Sequence, residues 1–317
     1  MTDLPPLSAR EIWIKLLLYP SHTLPTAAAP VLVGIGLAVH DHVFAPIPVL
    51  VAFLASWLIH VGGVFTDNYE LLRRHPEVPE HPELLQALNS GILTFAGLRG
   101  AIAACFGLAA LTVPYLFSIG GTLALLIGII GAGTSYCYAG RPQPYVKRGL
   151  ADPIFFAMFG IVAVVGTYYI QSVALHGPAA PVVDAIKRLP PHLFLVGLPV
   201  GALVTNVMVI DDIRDRHFDT MKGWHTVAVR FGLGGSRVEY LAFTAFAYLS
   251  PFWFWLGLGF SAWALLPLLT LPLAYAIARA VCTFDQTRDL IMMTPRASHL
   301  SLIYSGLLAA GVAMSAG

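Results

Sequence analysis

Residues 193–219 read LFLVGLPVGALVTNVMVIDDIRDRHFD, and the change of character at Asp211 decides how the chain folds. No charged side chain occurs from Leu193 to Ile210. A stretch of that length and apolarity is about what one bilayer-crossing helix needs. Beyond it the run turns polar, with Asp211, Asp215 and Asp219 at four-residue spacing. If the helix continues past the apolar window, these carboxylates share one face, each about one turn above the last. Like charges so placed repel, and an unliganded helix is weakened by them. A divalent cation such as Mg2+, which takes hard oxygen ligands, removes that penalty. The competing reading is a solvated acidic face broken up by Arg214 and Arg216.

Working outward, the same kind of window recurs. Apolar windows cover Pro25–Val39, Ile47–Phe65, Ile92–Phe117, Thr122–Tyr138, Ile154–Ile170, Leu193–Ile210, Val238–Leu256, Ser261–Ala280 and Leu300–Ala316, the eighth interrupted by Pro267 and Pro272. Of the 317 residues 57% are hydrophobic and only 11% charged, whereas a water-soluble domain carries roughly a quarter charged. The expected fold is all-α, a polytopic membrane protein with about nine transmembrane helices in a single domain over 1–317. Residues 1–23 precede the first full window and have an amphipathic stretch, Ala9–Tyr19, suited to the membrane interface. Asp3, Glu11 and Pro5-Pro6 do not make the basic start of a secretory signal, so this segment is expected to be retained. Sixteen of the 18 lysines and arginines fall on one side of this topology and only Lys187 and Arg188 on the other. The positive-inside bias then places the N-terminus and the long polar loops in the cytoplasm, with the cell inner membrane as the expected location. A net charge of +1 gives no argument for nucleic acid. Cys105, Cys137 and Cys282 lie far apart in apolar stretches and have no metal or disulfide spacing.

Two further polar segments lie on the same side as the Asp211 run. The first, Phe65-Thr66-Asp67-Asn68-Tyr69-Glu70 with Arg73 and Arg74 following, puts Asp67 and Glu70 at helical i, i+3 spacing. Glu77, Glu80 and Glu83 then alternate with Pro76, Pro79 and Pro82 and read as loop. Alone, this segment is an ordinary charged loop; beside the Asp211 run it becomes the second half of a carboxylate site able to hold Mg2+ against a diphosphate. The other segment supplies the opposite sign, with Tyr136, Tyr138, Arg141, Tyr145, Lys147 and Arg148, and Asp152 beyond. Its cations either neutralise diphosphate oxygens or anchor the cytoplasmic face. Lys222 and Arg230 carry the same two readings.

These residues resemble the UbiA-type intramembrane prenyltransferases. DDIRDRHFDTMKGWHTVAVRFG, Asp211–Gly232, is similar to that family's second aspartate-rich motif. YVKRGLADPIFFAMFGIVAVVGTYYIQ, Tyr145–Gln171, resembles the fifth-helix region of its 1,4-dihydroxy-2-naphthoate prenyltransferase branch. The resemblance covers nearly the whole chain and implies nine helices around a central cavity. It also implies a reaction: a polyprenyl group leaves its diphosphate with Mg2+ assistance and joins an electron-rich carbon of an aromatic acceptor, a quinone precursor. Carried over onto this chain, the resemblance implies Asp67, Asp211 and Asp215 as catalytic carboxylates. Metal ligands would be Asp67, Glu70, Asp211, Asp215 and Asp219. Substrate contacts would be Asn68, Tyr145, Lys147, Arg148, Asn206 and Lys222. Polyprenyl diphosphate, the aromatic acceptor and membrane lipid are the implied partners.

The chain departs from the family at the first motif, where Thr66 stands at the usual Asn, Glu70 at the next acid and Arg74 at the last. Arg74 cannot ligate a metal. Two other readings follow: a terpene cyclase or a transferase for a non-quinone acceptor, and a transporter or scaffold without chemistry. A transporter needs ionisable groups along a path through the membrane, and His60 is the main one inside the windows. That favours an enzyme with a mouth on one face.

Overall fold

A computed structural model describes residues 8–18, 23–78, 80–142, 144–178 and 181–316. All regular structure among them is helical. The helices are α1 (Ala9–Leu18), α2 (Thr23–His40), α3 (Pro46–Arg74), α4 (Pro82–Asn89), α5 (Phe95–Ala110) and α6 (Val113–Cys137). They continue with α7 (Ala151–His176), α8 (Val182–Lys187), α9 (Pro191–Lys222), α10 (Val227–Gly257), α11 (Ala262–Thr283) and α12 (Met293–Ala313). Eight of the nine apolar windows each fall on one helix. Six helices among the described residues, α2, α3, α6, α7, α9 and α11, are long and apolar enough to cross a bilayer, and the protein is a multi-pass membrane protein.

Where the windows and the helices differ, prolines and glycines are the reason. The window Ile92–Phe117 is not one helix. It breaks at Leu111–Thr112, because Pro114 starts the next helix in its first turn, where its missing N–H costs nothing. Gly121, with φ +57°, then kinks α6. Pro267 lies in a 3-10 stretch, Ala262–Thr270, and regular helix resumes only at Leu271. More consequential are two overruns. α3 continues past its window to Arg74, and α9 continues from Ile210 to Lys222, about three turns and ~18 Å beyond the apolar part. Gly223 ends α9 in the left-handed conformation, φ +68°, with its N–H on the Asp219 carbonyl.

Backbone-to-backbone packing sets the helix positions. A Cβ on Gly197 would lie 2.0 Å from the Gly160 carbonyl oxygen, and one on Gly201 would lie 2.5 Å from that of Phe156. Hence α7 and α9 touch through glycine, the small-residue contact that membrane helices use to approach closely. α2 packs in the same way on α12, where a Cβ on Gly36 would meet the Ala309 backbone at 2.5 Å. α2 also packs on α3 and α7, and α9 on α10 and α12. The result is a ring of helices around a cavity whose mouth lies at the C-terminal ends of α3 and α9. A smaller apolar cluster joins α1 to α3, α4 and α5 through Ile12, Leu16, Phe65, Leu72 and Leu84. The N-terminal segment therefore presents its apolar face to the helical body over Ala9–Leu18; residues 1–7 and 19–22 lie outside the described residues.

Candidate active site

The cavity has a volume of about 470 Å3. Its depth is mostly apolar, with Val64, Phe155, Phe159, Val204 and Met208 on its walls and His60, Thr26 and Ser135 among them. Its mouth is ionic. Six carboxylates line it, Asp67, Glu80, Asp211, Asp212, Asp215 and Asp219, against two lysine or arginine cations, Arg214 and Lys222.

α9 delivers its acids as the four-residue spacing predicts: Asp211, Asp215 and Asp219 all face the cavity. Arg214, on the same helix, bonds both neighbours, with Nη1 2.5 Å from Asp211 and Nη2 2.5 Å from Asp215. The Thr294 hydroxyl, at the start of α12, donates to Asp211 at 2.7 Å. Lys222 is buried, 4% exposed, and its ammonium stands 2.6 Å from Glu80 and 3.0 Å from Asp219. It also sits 3.7 Å over the Trp224 ring. A buried ammonium persists only with such partners.

On α3 the cavity stripe is His60, Val64 and Asp67, with Gly63 and Asn68 beside it. One Asp67 oxygen is buried and accepts no hydrogen bond. Glu70 does not join it. The helical stripe passes from Asp67 toward Leu71, and Glu70 falls to the side, where Arg74 pairs with it at 2.5 Å, i to i+4. Glu70 and Arg74 line a small hollow behind the mouth with Lys147 and Trp224. The second acid at this side of the mouth is Glu80, from the proline-bearing loop after α3.

The remaining expected substrate contacts divide. Tyr145 lines the cavity, packed edge-on against Tyr138 with centroids 5.7 Å apart. Burial pushes its phenol well above the ordinary range, so it stays a hydrogen-bond donor. Lys147 and Arg148 belong to a 3-10 turn, Tyr145–Arg148. The Lys147 carbonyl is hydrogen-bonded by His225 at 2.5 Å, and neither side chain lines the cavity. Asn206 points elsewhere altogether. Its amide donates to the Tyr240 carbonyl at 3.0 Å and the Thr244 hydroxyl at 2.9 Å, holding α9 to α10.

Sequence reasoning missed Glu80, His81, Arg214, Asp212 and Thr294 as mouth residues. Asp212 and Arg214 were legible as neighbours of the acid run, but the other three reach the mouth only through loop and helix packing. His81 is held neutral by burial, against the pull of Glu80 and Glu83.

The residues present fit a divalent cation. The donor set is hard oxygen, negative charge exceeds positive charge, and an Asp67 oxygen is buried without a partner. Among the described residues no three mouth carboxylates bring ligand atoms within 4.8 Å of one another. Arg214 and Lys222 are drawn between them instead.

Comparison with known proteins agrees with this geometry. The UbiA prenyltransferase family profile matches residues 27–294. The 1,4-dihydroxy-2-naphthoate octaprenyltransferase of Mycobacterium leprae (strain TN) is 28% identical over 302 residues, covering 93% of this chain and 94% of its own. An apo UbiA homologue from Aeropyrum pernix K1 superposes with a TM-score of 0.66 at 16% identity, covering 93% of this chain and 97% of that one. A UbiA homologue from Archaeoglobus fulgidus, bound to DMAPP and Mg2+, superposes with a TM-score of 0.52 at 13% identity, covering 93% and 98%.

Proposed function

The chain belongs to the UbiA prenyltransferase family, and from that premise we propose that it transfers a polyprenyl group from its diphosphate to 1,4-dihydroxy-2-naphthoate, at the cavity mouth. One observation carries the reading: an apolar cavity opens at a mouth with six carboxylates and two lysine or arginine cations. Such a mouth repels a diphosphate unless divalent cations stand between them. An apolar wall behind it suits an isoprenoid chain. The Mycobacterium leprae relative, named for octaprenyl transfer to this naphthoate, supports the acceptor, and the Archaeoglobus structure with DMAPP and Mg2+ supports the donor chemistry and the metal.

Asp67, Asp211, Asp215 and Asp219 would hold Mg2+, with Glu80 as a further oxygen donor once Lys222 turns to the diphosphate. Bound there, the metal supplies charge neutralisation of the leaving diphosphate. The chain's own residues do the rest. Lys222 and Arg214, released from their carboxylates, become free to donate to phosphate oxygens, Arg214 with a fork suited to two of them. Tyr145 donates from its neutral phenol. Phe155, Phe159, Val204 and Met208 keep water from the allylic cation formed as the carbon–oxygen bond breaks. The acceptor's ring carbon then takes that cation, and a proton leaves the ring. Stabilising charge where it develops, in a site that excludes water, is the main source of acceleration. Glu70, Asn206, Lys147 and Arg148 are outside this set. The 16-to-2 partition of lysine and arginine supports a mouth facing the cytoplasm from the inner membrane.

The test is purified protein with labelled polyprenyl diphosphate, Mg2+ and a panel of aromatic acceptors. Prenylated product and diphosphate release that both require the naphthoate are expected. Diphosphate release without any acceptor would identify a cyclase and overturn the proposal. Absence of donor binding would overturn the enzyme reading altogether.

A further inference from the structure

A second polar cluster lies at the opposite end of the helices from the mouth. It forms where α2 ends, at His40 and Asp41, and where α9 begins, at His192. Pro46, just beyond it on α3, is ~30 Å along the helix axis from Asp67, so the two clusters are separated by about the thickness of a bilayer core. His40 Nδ1 lies 2.7 Å from one Asp41 oxygen. His192 Nε2 lies 3.4 Å from the other, and the Tyr168 hydroxyl of α7 donates to that same oxygen at 2.6 Å. Phe260 closes the cluster, its ring centroid 5.0 Å from His40 and 5.7 Å from His192. His192 Nε2 is buried and makes no hydrogen bond. Among the described residues this is the one set of three histidine, cysteine or acidic side chains whose ligand atoms all lie within 4.8 Å of one another.

We propose that His40, Asp41 and His192 form a binding site for a divalent transition cation of the zinc class, remote from the reaction and structural in role. Two imidazole nitrogens and one carboxylate oxygen are a ligand set that such ions take, in tetrahedral geometry with a fourth position for water. Metal–ligand bonds of 2.0–2.1 Å in that geometry put neighbouring ligand atoms roughly 3.3 Å apart. The His192–Asp41 separation of 3.4 Å already matches this edge. His40 Nδ1 is bonded to the other carboxylate oxygen, and one ligand atom from each of the three residues lies within 4.8 Å of the others, so a small turn of the carboxylate and the His40 ring closes the set when the shared proton gives way to the ion. His192 Nε2, now at a long 3.4 Å separation from Asp41, gains a short metal–ligand bond. Tyr168 fixes the orientation of the carboxylate, as outer partners of metal ligands do.

The backbone is shaped to present the aspartate. His42 takes φ +58°, a left-handed conformation that non-glycine residues adopt only at a cost. That turn folds the chain back after α2, its N–H bonded to the Val39 carbonyl, and leaves the Asp41 side chain facing His192. A cation bound here would tie α2 to the start of α9, with α7 attached through Tyr168. α9 carries the acid run of the mouth, so the ion would hold at its far end the helix that does the chemistry.

The experiment is titration of the full chain in detergent micelles with Zn2+ alone, read by calorimetry and bound-metal analysis, and with Co2+ alone, read by its tetrahedral absorption. An Asp211→Asn/Asp215→Asn background removes competing sites at the mouth. One saturable ion per chain is expected, with a tetrahedral Co2+ spectrum and a rise in melting temperature. His192→Gln and His40→Gln should each weaken binding more than about 100-fold, and Tyr168→Phe by about 10-fold. No saturable binding in the mouth-deficient background would overturn the proposal and leave the cluster a hydrogen-bonded latch. Undiminished binding in a folded His192→Gln variant would overturn it as well. Should His192→Gln fail to fold, His40→Gln decides by the same criterion.

Discussion

α3 and α9 both run past their apolar windows carrying acids, yet they keep those acids differently. On α9 the carboxylates recur three times at one spacing, and all three reach the cavity. On α3 only Asp67 does, while Glu70 is drawn aside by Arg74. The difference lies in what surrounds each helix. α9 is packed on several sides by α7, α10 and α12, and even its polar extension buries Asp212, Asp219 and Lys222. A pattern repeated along such a helix must point somewhere definite. α3 has a partner for Glu70 on its own surface, one turn away, and a pair of acids at i, i+3 does not outweigh a salt bridge at i, i+4. A repeated spacing is a statement about a face; a single spacing is a statement about two residues.

The largest expected effect is on the members that both helices do bring to the cavity. Asp215→Asn and Asp67→Asn should each lower kcat/KM for prenyl transfer by about 100-fold or more, since each removes charge that would hold the metal against the leaving group. An Asp67→Asn effect below about 3-fold, with Asp215→Asn at full size, would mean that α9 alone holds the site. Next comes the loop acid against the helix acid. Glu80→Gln should cost about 10-fold, because the carboxylate that positions Lys222 is lost, whereas Glu70→Gln should stay within about 2-fold in turnover and show its loss as a lower melting temperature, since it leaves Arg74 without its buried partner. Steady-state kinetics on the two variants side by side would break the comparison if their order were reversed. The smallest effect on turnover is expected at Asn206. Asn206→Ala should leave KM for both substrates unchanged and cost about 1 kcal/mol of stability through its bonds to α10, measured as a lower melting temperature. A raised KM for the diphosphate would return Asn206 to the site.

Much of the molecule was legible in advance. The all-helical membrane fold and the acid face of α9 follow from apolar windows and one spacing, and the family from the resemblance of the Asp211–Gly232 and Tyr145–Gln171 stretches. Tyr145, Asp67, Asn68 and Lys222, carried over by the resemblance, do line the cavity. Asn206 was carried over by the resemblance, but it lies five residues before Asp211, off the face of the acid run, and its side chain points to α10. Lys147 and Arg148 were placed by charge sign, and charge sign is what any anchoring residue at this membrane face would show. Glu80 was passed over because a proline-rich loop has no period from which a direction can be read.

What the sequence by itself determined is therefore everything set by separation along one helix: which segments are apolar, where they end, and which acids share a face. These follow from a fixed rise and turn per residue, which hold wherever the helix is placed. Only the tertiary structure decided that Glu80 rather than Glu70 meets Lys222, that Thr294 holds Asp211, and that His192 comes to His40 and Asp41 at the far end. Those groups are separated along the chain by as much as 142 and 152 residues, and no local geometry joins them. Contact at that range is set by close backbone packing, here the glycine faces of α7 and α9, and by where the loops must run to let the helices approach.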